Sequence, residues 1–352
     1  MDQTPSSQTG NVRGPVALLL PLSGRLGDVG KPMAQAARLS LSAAGSPPME
    51  TKDTKGSPDD AAAAAQEAIA GGAKMILGPL TSAETARVAP IARAAGVPVL
   101  AFTNDQSQAQ PGVWTLGITP VQQIRRLLAA VKDAGKEPVA ALLPDTEFGR
   151  AMAEALIRTT AEANLPKPFI RTHGPGKAAV ETAVGELAAT ATEGQPFPYG
   201  SILLGAVGGD LKLFAKAFSD RGIDRSRTQI LGPALWADPA VGASVLTGAW
   251  FAMPDPAQRS DMAANYQEQY KTAPPPLADL AHDGASIARV LSAQGRMNAA
   301  GMTQAVGFSG VDGWVGFAAD GQARRGLALF RVERQRFTPI GPAPDMAGKP
   351  GS

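Results

Sequence analysis

One apolar stretch occurs twice in this sequence. PVALLLPLSG begins at Pro15, and the nearly identical PVAALLPDTE begins at Pro138. In each copy, an apolar run without polar alternation ends at a proline, and an Ala-rich stretch follows. Such an unbroken run is typical of a strand that is buried on both faces of a parallel sheet. We therefore expect each copy to begin a separate α/β lobe.

Strands and helices are predicted to alternate after each copy. After the first copy, the predicted elements are a helix over 30–44, a strand over 49–54, a helix over 58–70, the strand KMILG, a helix over 82–95 and the strand VPVLAF. After the second copy, they are a helix over 151–163, the strand PFIRT, a helix over 177–191, the strand YGSILLG, a helix over 210–220 and the strand TQILG. This alternation predicts parallel sheets that are built from right-handed crossovers.

A second repeated segment supports a duplicated architecture. The tetrapeptide ILGP occurs at Ile76–Pro79 and again at Ile230–Pro233, in both cases where a predicted strand gives way to a loop. A chain of 352 residues is long enough for two cores of ordinary size. The two repeats therefore predict two similar α/β lobes.

The composition indicates a globular protein and disfavours a nucleic-acid partner. Hydrophobic residues make up 44% of the chain and charged residues 18%, which suits a packed core. The 33 basic and 31 acidic residues leave a formal charge of +2, whereas nucleic-acid binding requires a clustered basic excess. We interpret the Arg-rich stretch Arg324–Arg336 as the solvent face of a strand, and a phosphate-binding patch is the alternative.

The absence of cysteine excludes disulfides, thiolate metal sites and cysteine nucleophiles. It suits an oxidising compartment, although cytosolic proteins can lack cysteine too. Residues 1–14 are expected to be a flexible leader left by a removed export signal, and residues 341–352 a disordered tail. No run of about twenty apolar residues occurs, so no membrane span is predicted.

Catalytic and metal-binding motifs are missing from the sequence. The two histidines, His173 and His282, are too few for a histidine metal cluster. His282 is next to Asp283, but no GxSxG segment supplies a nucleophilic serine. His173 lies in HGPGK and is expected to be solvated. GRLGDVGK differs from a phosphate-binding loop in its glycine spacing, and Pro32 replaces the magnesium-binding hydroxyl. The sequence therefore predicts no catalytic residues, no metal and no cofactor.

Loops that follow the C-terminal ends of parallel strands are where open sheets bind ligands, because helix N-termini expose backbone N–H groups there. The candidate ligand-binding residues are Ser23, Thr81, Ser82, Thr103, Asn104, Asp105, Glu147, Phe148, Val207, Trp236 and Asp283. Three of these sites have a purely structural alternative. Ser82 can be a helix N-cap, Thr103–Asp105 an Asx turn, and Trp236 a residue packed under a loop.

The last third of the chain departs from the repeated pattern. Helices are predicted over 259–271 and 277–294, the second of them after a triple proline. GWVGF, a turn at Ala319–Gln322 and LALFRVERQRF are predicted to form a hairpin.

Six segments together carry a family resemblance. They are VALLLPLSG, KMILGPLTSAETARVAPIARAAGVPVLAFTND, VAALLPDTEFGRAMAEAL, ILGPALWADP, GAWFAMPDP and GWVGFAADGQARRGLALFRV. From Pro15 to Pro339 the chain resembles the type I periplasmic binding proteins of the leucine/isoleucine/valine-receptor branch. Within that family it looks closest to an alphaproteobacterial group labelled penicillin-binding-protein activators.

The resemblance implies an α/β fold of two similar three-layer αβα lobes with parallel sheets, joined by three crossovers. A ligand is then held in the cleft as the lobes close about a hinge. The crossovers are expected near Gly117–Thr119, Gly248–Phe251 and Phe308–Gly313. Lobe 1 is expected to comprise 15–118 and 252–309, and lobe 2 to comprise 119–251 and 310–340.

The resemblance also implies roles for several candidates. In the amino-acid receptors of this family, a serine at the position of Ser82 grips the ligand carboxylate. Donors at the positions of Thr103 and Asp105 assist it. An aromatic residue occupies the position of Phe148.

Two departures from the family pattern bear on the ligand. Ala234 stands where those receptors place the acidic partner of the ligand ammonium, and their second-lobe aromatic residue is replaced around Val207. A buried ammonium without a carboxylate partner is costly. An ordinary α-amino acid therefore requires Asp105 or Glu147 as a substitute partner.

The resemblance implies two alternative functions. The first is an extracytoplasmic solute-binding protein that captures a small polar, amino-acid-like ligand for the membrane subunits of an ABC transporter. The second is a non-transport regulator of peptidoglycan synthesis that contacts a peptidoglycan synthase through the surface of the same fold. Both imply a periplasmic location, with lipid anchoring of the native form left open. An enzyme ranks third, because no acid/base or metal set is visible.

Overall fold

The computed structural model describes residues 12–238, 241–334 and 336–345. Its strands are β1 (Val16–Leu20), β2 (Met49–Asp53), β3 (Met75–Leu77), β4 (Val99–Ala101), β5 (Val113–Thr115), β6 (Val139–Pro144), β7 (Phe169–His173), β8 (Ser201–Leu204), β9 (Gln229–Gly232), β10 (Trp250–Met253), β11 (Phe308–Gly310), β12 (Gly313–Phe317), β13 (Ala323–Arg325), β14 (Ala328–Val332) and β15 (Phe337–Gly341). Its helices are α1 (Gly27–Ser40), α2 (Pro58–Ala70), α3 (Ser82–Ala94), α4 (Pro120–Asp133), α5 (Glu147–Glu162), α6 (Lys177–Ala188), α7 (Gly209–Asp220), α8 (Ser260–Tyr270), α9 (Pro276–Gln294) and α10 (Ala299–Met302). None of the helices in these ranges has the length and apolar character needed to cross a membrane.

The chain divides into two compact units. Among the described residues, unit 1 contains 12–118, Pro256–Arg325 and Asp345, and unit 2 contains Thr119–Asp255 and Gly326–Pro344. We call the passages at Ile118–Thr119, Asp255–Pro256 and Arg325–Gly326 the first, second and third junctions. The second and third junctions lie later in the sequence than the crossovers that the resemblance implied.

In unit 1, five parallel strands form a sheet in the order β2-β1-β3-β4-β5. β1 is the first copy of the repeated stretch, and all of its residues are buried. Leu18 and Leu20 pack in one core cluster with α1 and α9, whereas Leu19 packs in another with α2 and α3. Helices therefore cover both faces of the sheet, which explains why β1 shows no polar alternation.

In unit 2, the same strand order recurs as β7-β6-β8-β9-β10, and antiparallel β14 and β15 extend the sheet beyond β10. β6 is the second copy of the repeated stretch, and like β1 it lies between the second and third strands of its series. Helices α6 and α7 contribute to the core cluster of this unit, while α5 packs on β6 and α4 on β10. The predicted α/β class with parallel sheets is confirmed.

The ILGP tetrapeptide, in contrast, does not mark equivalent strands. Ile76–Pro79 includes the end of β3, which is the third strand of its unit, whereas Ile230–Pro233 includes the end of β9, which is the fourth. The counterpart of β3 is β8, which leads into Gly205 without a following proline. The tetrapeptide was therefore wrong as evidence for duplication. Apolar residues followed by Gly-Pro mark a strand end in general, because both residues favour turns.

Side-chain caps fix the starts of several helices. Ser57 Oγ accepts the N–H of Asp60 at the start of α2, which begins and ends at the predicted residues. At the start of α4, Thr119 and Gln122 satisfy each other's backbone N–H groups in a capping box. Neither α4 nor the neighbouring β5 is among the predicted elements.

The predicted C-terminal hairpin is wrong in its second strand. β12, which is GWVGF, pairs antiparallel with β11 and with the short β13. LALFRV instead contributes β14, which pairs with β10 in the sheet of unit 2. The third junction, Arg325–Gly326, separates β13 from β14. Residues 310–325 therefore belong to unit 1, not to the second lobe as expected.

The predicted leader and tail lie mostly outside the described residues. Within the described part, the Val12 N–H donates to the carbonyl of Gly295 at 2.7 Å. Gly341 ends β15, and a Cβ on Gly326 would lie 1.9 Å from the carbonyl oxygen of Pro344. Residues 12 and 341–344 are therefore packed against the fold, contrary to the expectation for these positions.

Both units place a glycine of the following helix against the proline that closes the repeated strand. A Cβ on Gly30 of α1 would lie 1.9 Å from the carbonyl oxygen of Pro21, and one on Gly149 of α5 would lie 1.8 Å from that of Pro144. Heavy atoms cannot approach so closely in a packed interior. Glycine at these positions therefore lets each helix start directly against its strand end.

We expect Gly149→Ala to lower the free energy of unfolding by about 1–3 kcal/mol, because the added methyl group overpacks the strand end. The matched control is Gly209→Ala at the first residue of α7, where an added Cβ meets no heavy atom within 4 Å. This control should be neutral or stabilising by up to about 1 kcal/mol, because alanine favours helix more than glycine. Urea denaturation measures both values. Equal stabilities of the two variants would contradict the overpacking argument.

Candidate functional site

The parallel strands of each unit end at one edge, and most candidate residues lie in the loops there. In unit 1 this edge comprises residues 21–26, 53–57, 78–82 and 102–108, and we call it the polar edge. In unit 2 it comprises residues 145–148, 205–208 and 233–238, and we call it the apolar edge.

Asp53, at the end of β2, organises the first loop of the polar edge. Its Oδ1 accepts the backbone N–H groups of Leu22 and Lys55, both at 2.8 Å, and its Oδ2 accepts the Ser23 hydroxyl at 2.6 Å. Partial burial acts to raise the pKa of Asp53, but these hydrogen bonds outweigh it and lower the pKa. The candidate Ser23 is therefore already bonded to an ionised carboxylate of its own chain.

Glu84 plays the same part beneath the loop that follows β3. It is fully buried, and its Oε2 accepts the N–H of Thr81 at 3.0 Å and the Thr81 hydroxyl at 2.7 Å. Its Oε1 accepts the hydroxyl of Thr54. Because Thr81 Oγ1 also accepts the N–H of Glu84, Thr81 is the N-cap of α3. Ser82 is thus the first residue of the helix, and Thr81, not Ser82, is its N-cap.

Asp105 joins the loops that follow β3 and β4. Its carboxylate accepts the Ser82 hydroxyl, and it accepts the N–H of Ser107 at 2.9 Å. Its own N–H donates to the Thr103 hydroxyl at 3.1 Å. Partial burial acts to raise the pKa of Asp105, but the hydrogen bonds from Ser82 and Ser107 outweigh it and lower the pKa. Asn104, between these residues, is exposed.

The structure thus brings the unit 1 candidates together and also supplies their partners. The hydroxyls of Ser23, Thr81 and Ser82 donate to three different carboxylates of the same region. Sequence reasoning missed two of these carboxylates, Asp53 and Glu84. The capping-box spacing from Thr81 to Glu84 was a signal that could have found the second. The polar edge consequently holds several hydrogen-bond acceptors in fixed positions.

The apolar edge of unit 2 has a different character. Phe148 is half-buried at the start of α5, after the exposed Glu147. Val207, after β8, is 43% exposed, and Leu235, after β9, is 52% exposed. Leu235 is not among the candidate residues, although it lies in the loop that follows β9. These apolar side chains follow neighbouring strands at the same sheet edge.

Trp236 does not belong to the exposed surface of this edge. It is buried, and its indole N–H donates to the carbonyl of Ala206 at 3.0 Å. Its ring covers Gly232 so closely that an added Cβ would lie 2.4 Å from three ring atoms. The packing alternative therefore describes Trp236, because its only polar atom is satisfied inside the unit.

A narrow apolar crevice lies behind Phe148. It holds about 210 Å³ of space between atoms, yet no point within it is wide enough for a water molecule. Its lining residues are Pro120, Gln123, Ile124, Leu127, Phe148, Met152, Gly232 and Pro233. The Gln123 side chain also accepts the N–H of Ala234 at 2.8 Å. We interpret the crevice as a packing seam between α4 and α5.

Asp283 lies in α9 and is buried in the interior of unit 1. Its carboxylate accepts the N–H groups of Val311 at 2.7 Å and Asp312 at 3.0 Å. Nearby, Asp279 is held by the guanidinium of Arg259 through two hydrogen bonds of 2.6 and 2.8 Å. Because Asp283 is buried and occupied by backbone donors, it leaves the candidate ligand set.

His173 is buried, contrary to the expectation that it is solvated. It is 6% exposed, its ring packs edge-on against Phe214, and its Nδ1 lies 2.8 Å from the carbonyl oxygen of Gly174. The adjacent Gly/Pro-rich segment misled the prediction, because the histidine itself ends β7. Across the described ranges, no three His, Cys, Asp or Glu side chains are grouped to hold a metal ion.

Comparison with known proteins identifies the family. A family model described as periplasmic binding protein matches residues 15–336. Among curated proteins, no sequence gives a significant match.

Solved structures share the fold over almost the whole chain. A candidate branched-chain amino acid ABC transporter protein from Rhodospirillum rubrum has a TM-score of 0.78 at 20% identity, covering 94% of this chain and 100% of its own. The C-domain of LpoA from Haemophilus influenzae, a regulator of PBP1A, has a TM-score of 0.71 at 18% identity, covering 93% and 100%. The leucine binding protein LivK from Thermotoga maritima has a TM-score of 0.60 at 18% identity, covering 93% and 98%.

The buried Asp312 predicts a pH-dependent stability. Burial raises the pKa of Asp312 to about 7, and the nearby Arg325 guanidinium only partly opposes this rise. A carboxyl with a higher pKa in the folded chain binds its proton more tightly there. Its contribution to the free energy of unfolding is therefore fully present below about pH 4 and is lost as the pH rises through about 7.

We expect Asp312→Asn to remove this loss, because the amide does not titrate. The stability of the variant relative to the unmodified protein should rise between about pH 4 and about pH 7. Denaturant unfolding across that range measures the difference. Asp261→Asn changes an exposed carboxylate of the same unit and serves as the control. Parallel pH profiles for Asp312→Asn and the unmodified protein would contradict the assignment.

Proposed function

The chain belongs to the type I periplasmic binding proteins, and from this membership we propose that it captures a small polar ligand outside the cytoplasm for an ABC transporter. The family consists of extracytoplasmic binding proteins. Beyond family membership, we propose that capture is linked to transport and that residues of the polar edge contact the ligand.

One observation carries the proposal: polar side chains from three separate loops converge on the polar edge. Ser23, Ser82 and Asp105 follow β1, β3 and β4, and each makes a side-chain hydrogen bond to another loop or strand end of that edge. Because the carboxylates are held by several donors, their positions are fixed before any ligand arrives. A ligand with N–H or O–H groups can add to these hydrogen bonds, or replace them, at a small net cost.

The charge of Asp105 indicates the chemical class of a ligand at the polar edge. Asp105 has a lowered pKa and is ionised at neutral pH, and it already takes the hydroxyl of Ser82. A ligand carboxylate at Ser82 would meet this like charge, whereas a ligand amine would gain a counter-charge. Asp105 thus substitutes for the acidic partner that is missing at Ala234. We propose an amine-bearing ligand, with Asp105 as the partner of its ammonium group.

The apolar edge of unit 2 offers an exposed apolar surface of its own. Val207 and Leu235 leave about half of their surface in water, which is unfavourable unless something covers them. Phe148 adds an aromatic face beside them. In unit 1, the remaining candidates Thr103 and Asn104 belong to the loop that carries Asp105.

A specific observation favours the second function, regulation of a peptidoglycan synthase. Ser23, Thr81 and Ser82 already have internal carboxylate partners, which is the state expected of an edge that no longer needs a ligand. The Haemophilus influenzae LpoA domain, named as a regulator of PBP1A, shares the fold over almost the whole chain. In this alternative the chain acts in the periplasm through its surface, with or without a lipid anchor.

A stability screen with matched variants tests the transport proposal. The full chain is unfolded in the presence of small amines, amino acids and carboxylates, one compound at a time. A ligand at 100 times its dissociation constant adds about 2.7 kcal/mol to the free energy of unfolding. We expect an amine to produce this stabilisation, and Asp105→Asn to abolish it.

The control for that variant is Asp224→Asn. Asp224 accepts hydrogen bonds from the Ser226 hydroxyl at 2.6 Å and from the Ser226 N–H at 2.8 Å. Asp105 likewise accepts a serine hydroxyl and a serine N–H. Asp224, however, precedes β9 and lies at the opposite end of the strands. This variant should keep the ligand response. A screen without any response, combined with recovery of a peptidoglycan synthase in pull-downs from the cell envelope, would instead support the regulator.

A further inference from the structure

Two buried arginines flank the first and third junctions, one in each unit. Arg325 is the last residue of unit 1 before the third junction and is 1% exposed. Arg126 lies in α4, shortly after the first junction, in unit 2, and is 8% exposed. Arginine is rarely buried to this degree unless its donors are used.

Arg325 joins the two chain segments of unit 1 that lead to these junctions. Its Nη2 donates to the carbonyl of Leu116 at 2.7 Å, two residues before the first junction. Its Nη1 donates to the carbonyl of Asp312 at 3.3 Å, and it lies 3.9 Å from the carboxylate of the same residue. The end of β13 is thereby tied to the segment that follows β5.

Arg126 makes the corresponding connection in unit 2. Its Nε donates to the carbonyl of Leu327 at 2.9 Å, just after the third junction, and its Nη2 donates to the carbonyl of Pro342 at 3.4 Å. Gly341 leaves room for the guanidinium, because a Cβ there would lie 2.7 Å from Nη2. Helix α4 is thereby tied to the start of β14.

Packing alone does not require arginine at either position. Burial lowers the pKa of Arg126, which reflects the cost of removing its charge from water. Arg325 Nε has no hydrogen-bond partner among the described residues. An apolar residue of similar size would avoid these costs. What only arginine supplies is a planar set of donors that reaches two carbonyl groups at once.

We propose that Arg325 and Arg126 are the anchors of the chain at the first and third junctions. Each arginine pairs two chain segments within its own unit, up to the residues next to the junction. Backbone rotation at these two junctions is thereby confined to residues 117–119 and to Gly326. The anchors define where the chain can bend at the first and third junctions, whichever ligand or partner the protein has.

The anchored segment of unit 1 also contacts the polar edge. The N–H of Gly117 donates to the carbonyl of Thr103 at 3.1 Å, and a Cβ on Gly117 would lie 2.6 Å from the backbone of Thr103 and Asn104. A change in the loop that carries Asp105 therefore reaches the first junction through a backbone hydrogen bond and a tight contact. Arg325 holds the next residue in the chain, Leu116, on the other side of this contact.

Hydrogen exchange of the full-length chain tests the proposal. Lysine keeps the charge of arginine but has a single nitrogen, so it cannot donate to both carbonyls in the same geometry. We expect Arg325→Lys to speed amide exchange in residues 113–118 about tenfold or more, and Arg126→Lys to do the same in residues 326–332. Exchange in the central strands β1 and β6 should stay unchanged in both variants.

The neighbouring residues provide matched controls. Arg125 precedes Arg126 and donates to Glu162, so Arg125→Lys is the control for Arg126→Lys. Arg324 precedes Arg325 and is exposed, so Arg324→Lys is the control for Arg325→Lys. Both controls should leave the two segments unchanged. The proposal is overturned if the segments exchange at the same rate in the anchor variants, if the controls accelerate them equally, or if acceleration spreads through both units. If Arg325→Lys does not fold, Arg126→Lys decides the outcome by the same criteria.

Discussion

The rest of this structure depends on two central strands, β1 and β6, each of which pairs in parallel with a neighbour on both of its sides. β1 pairs with β2 and β3, and β6 pairs with β7 and β8, so the backbones of both strands are hydrogen-bonded to left and right. Their side chains are buried. A strand in this position must be apolar throughout, because a polar side chain would have no water on either face. The same pairing brings the loops that follow Pro21 and Pro144 to one edge of each sheet.

The polar edge illustrates how internal carboxylates take the place of solvent. Asp53, Glu84 and Asp105 each accept several donors, and the pKa values of Asp53 and Asp105 are lowered as a result. These hydrogen bonds fix the positions of the acceptors before anything binds to the edge. For a solute-binding protein this is preorganisation toward a donor-bearing ligand. For a regulator, the same hydrogen bonds leave the polar edge without need of a ligand. The two functions therefore differ in whether an external molecule joins the hydrogen bonds of this edge.

Buried charged side chains elsewhere in the fold hold separate chain segments together, more than they add to stability. Arg126 and Arg325 hold carbonyl groups of distant segments, and Asp283 holds the backbone of the turn before β12. Apolar residues would bury these positions at lower cost in solvation. They would not, however, fix which segments lie together next to the junctions. The raised pKa of Asp312 records the cost of this arrangement, because burial outweighs the attraction of the Arg325 and Arg259 guanidinium groups.

By itself, the sequence determined the α/β class, the two repeated central strands, the bounds of α2 and the loops that carry the candidate residues. These features depend on short-range periodicity and turn chemistry, which neighbouring residues encode. Only the tertiary structure decided that Ser82 donates to Asp105, that Trp236 packs over Gly232, that β14 pairs with β10, and that Arg126 reaches Leu327. Three of these contacts join residues that are far apart in the sequence. Gly232 and Trp236 are close in the sequence, but the sequence left open whether the Trp236 ring is buried. The partner of a side chain follows from long-range packing, and no local pattern contains it.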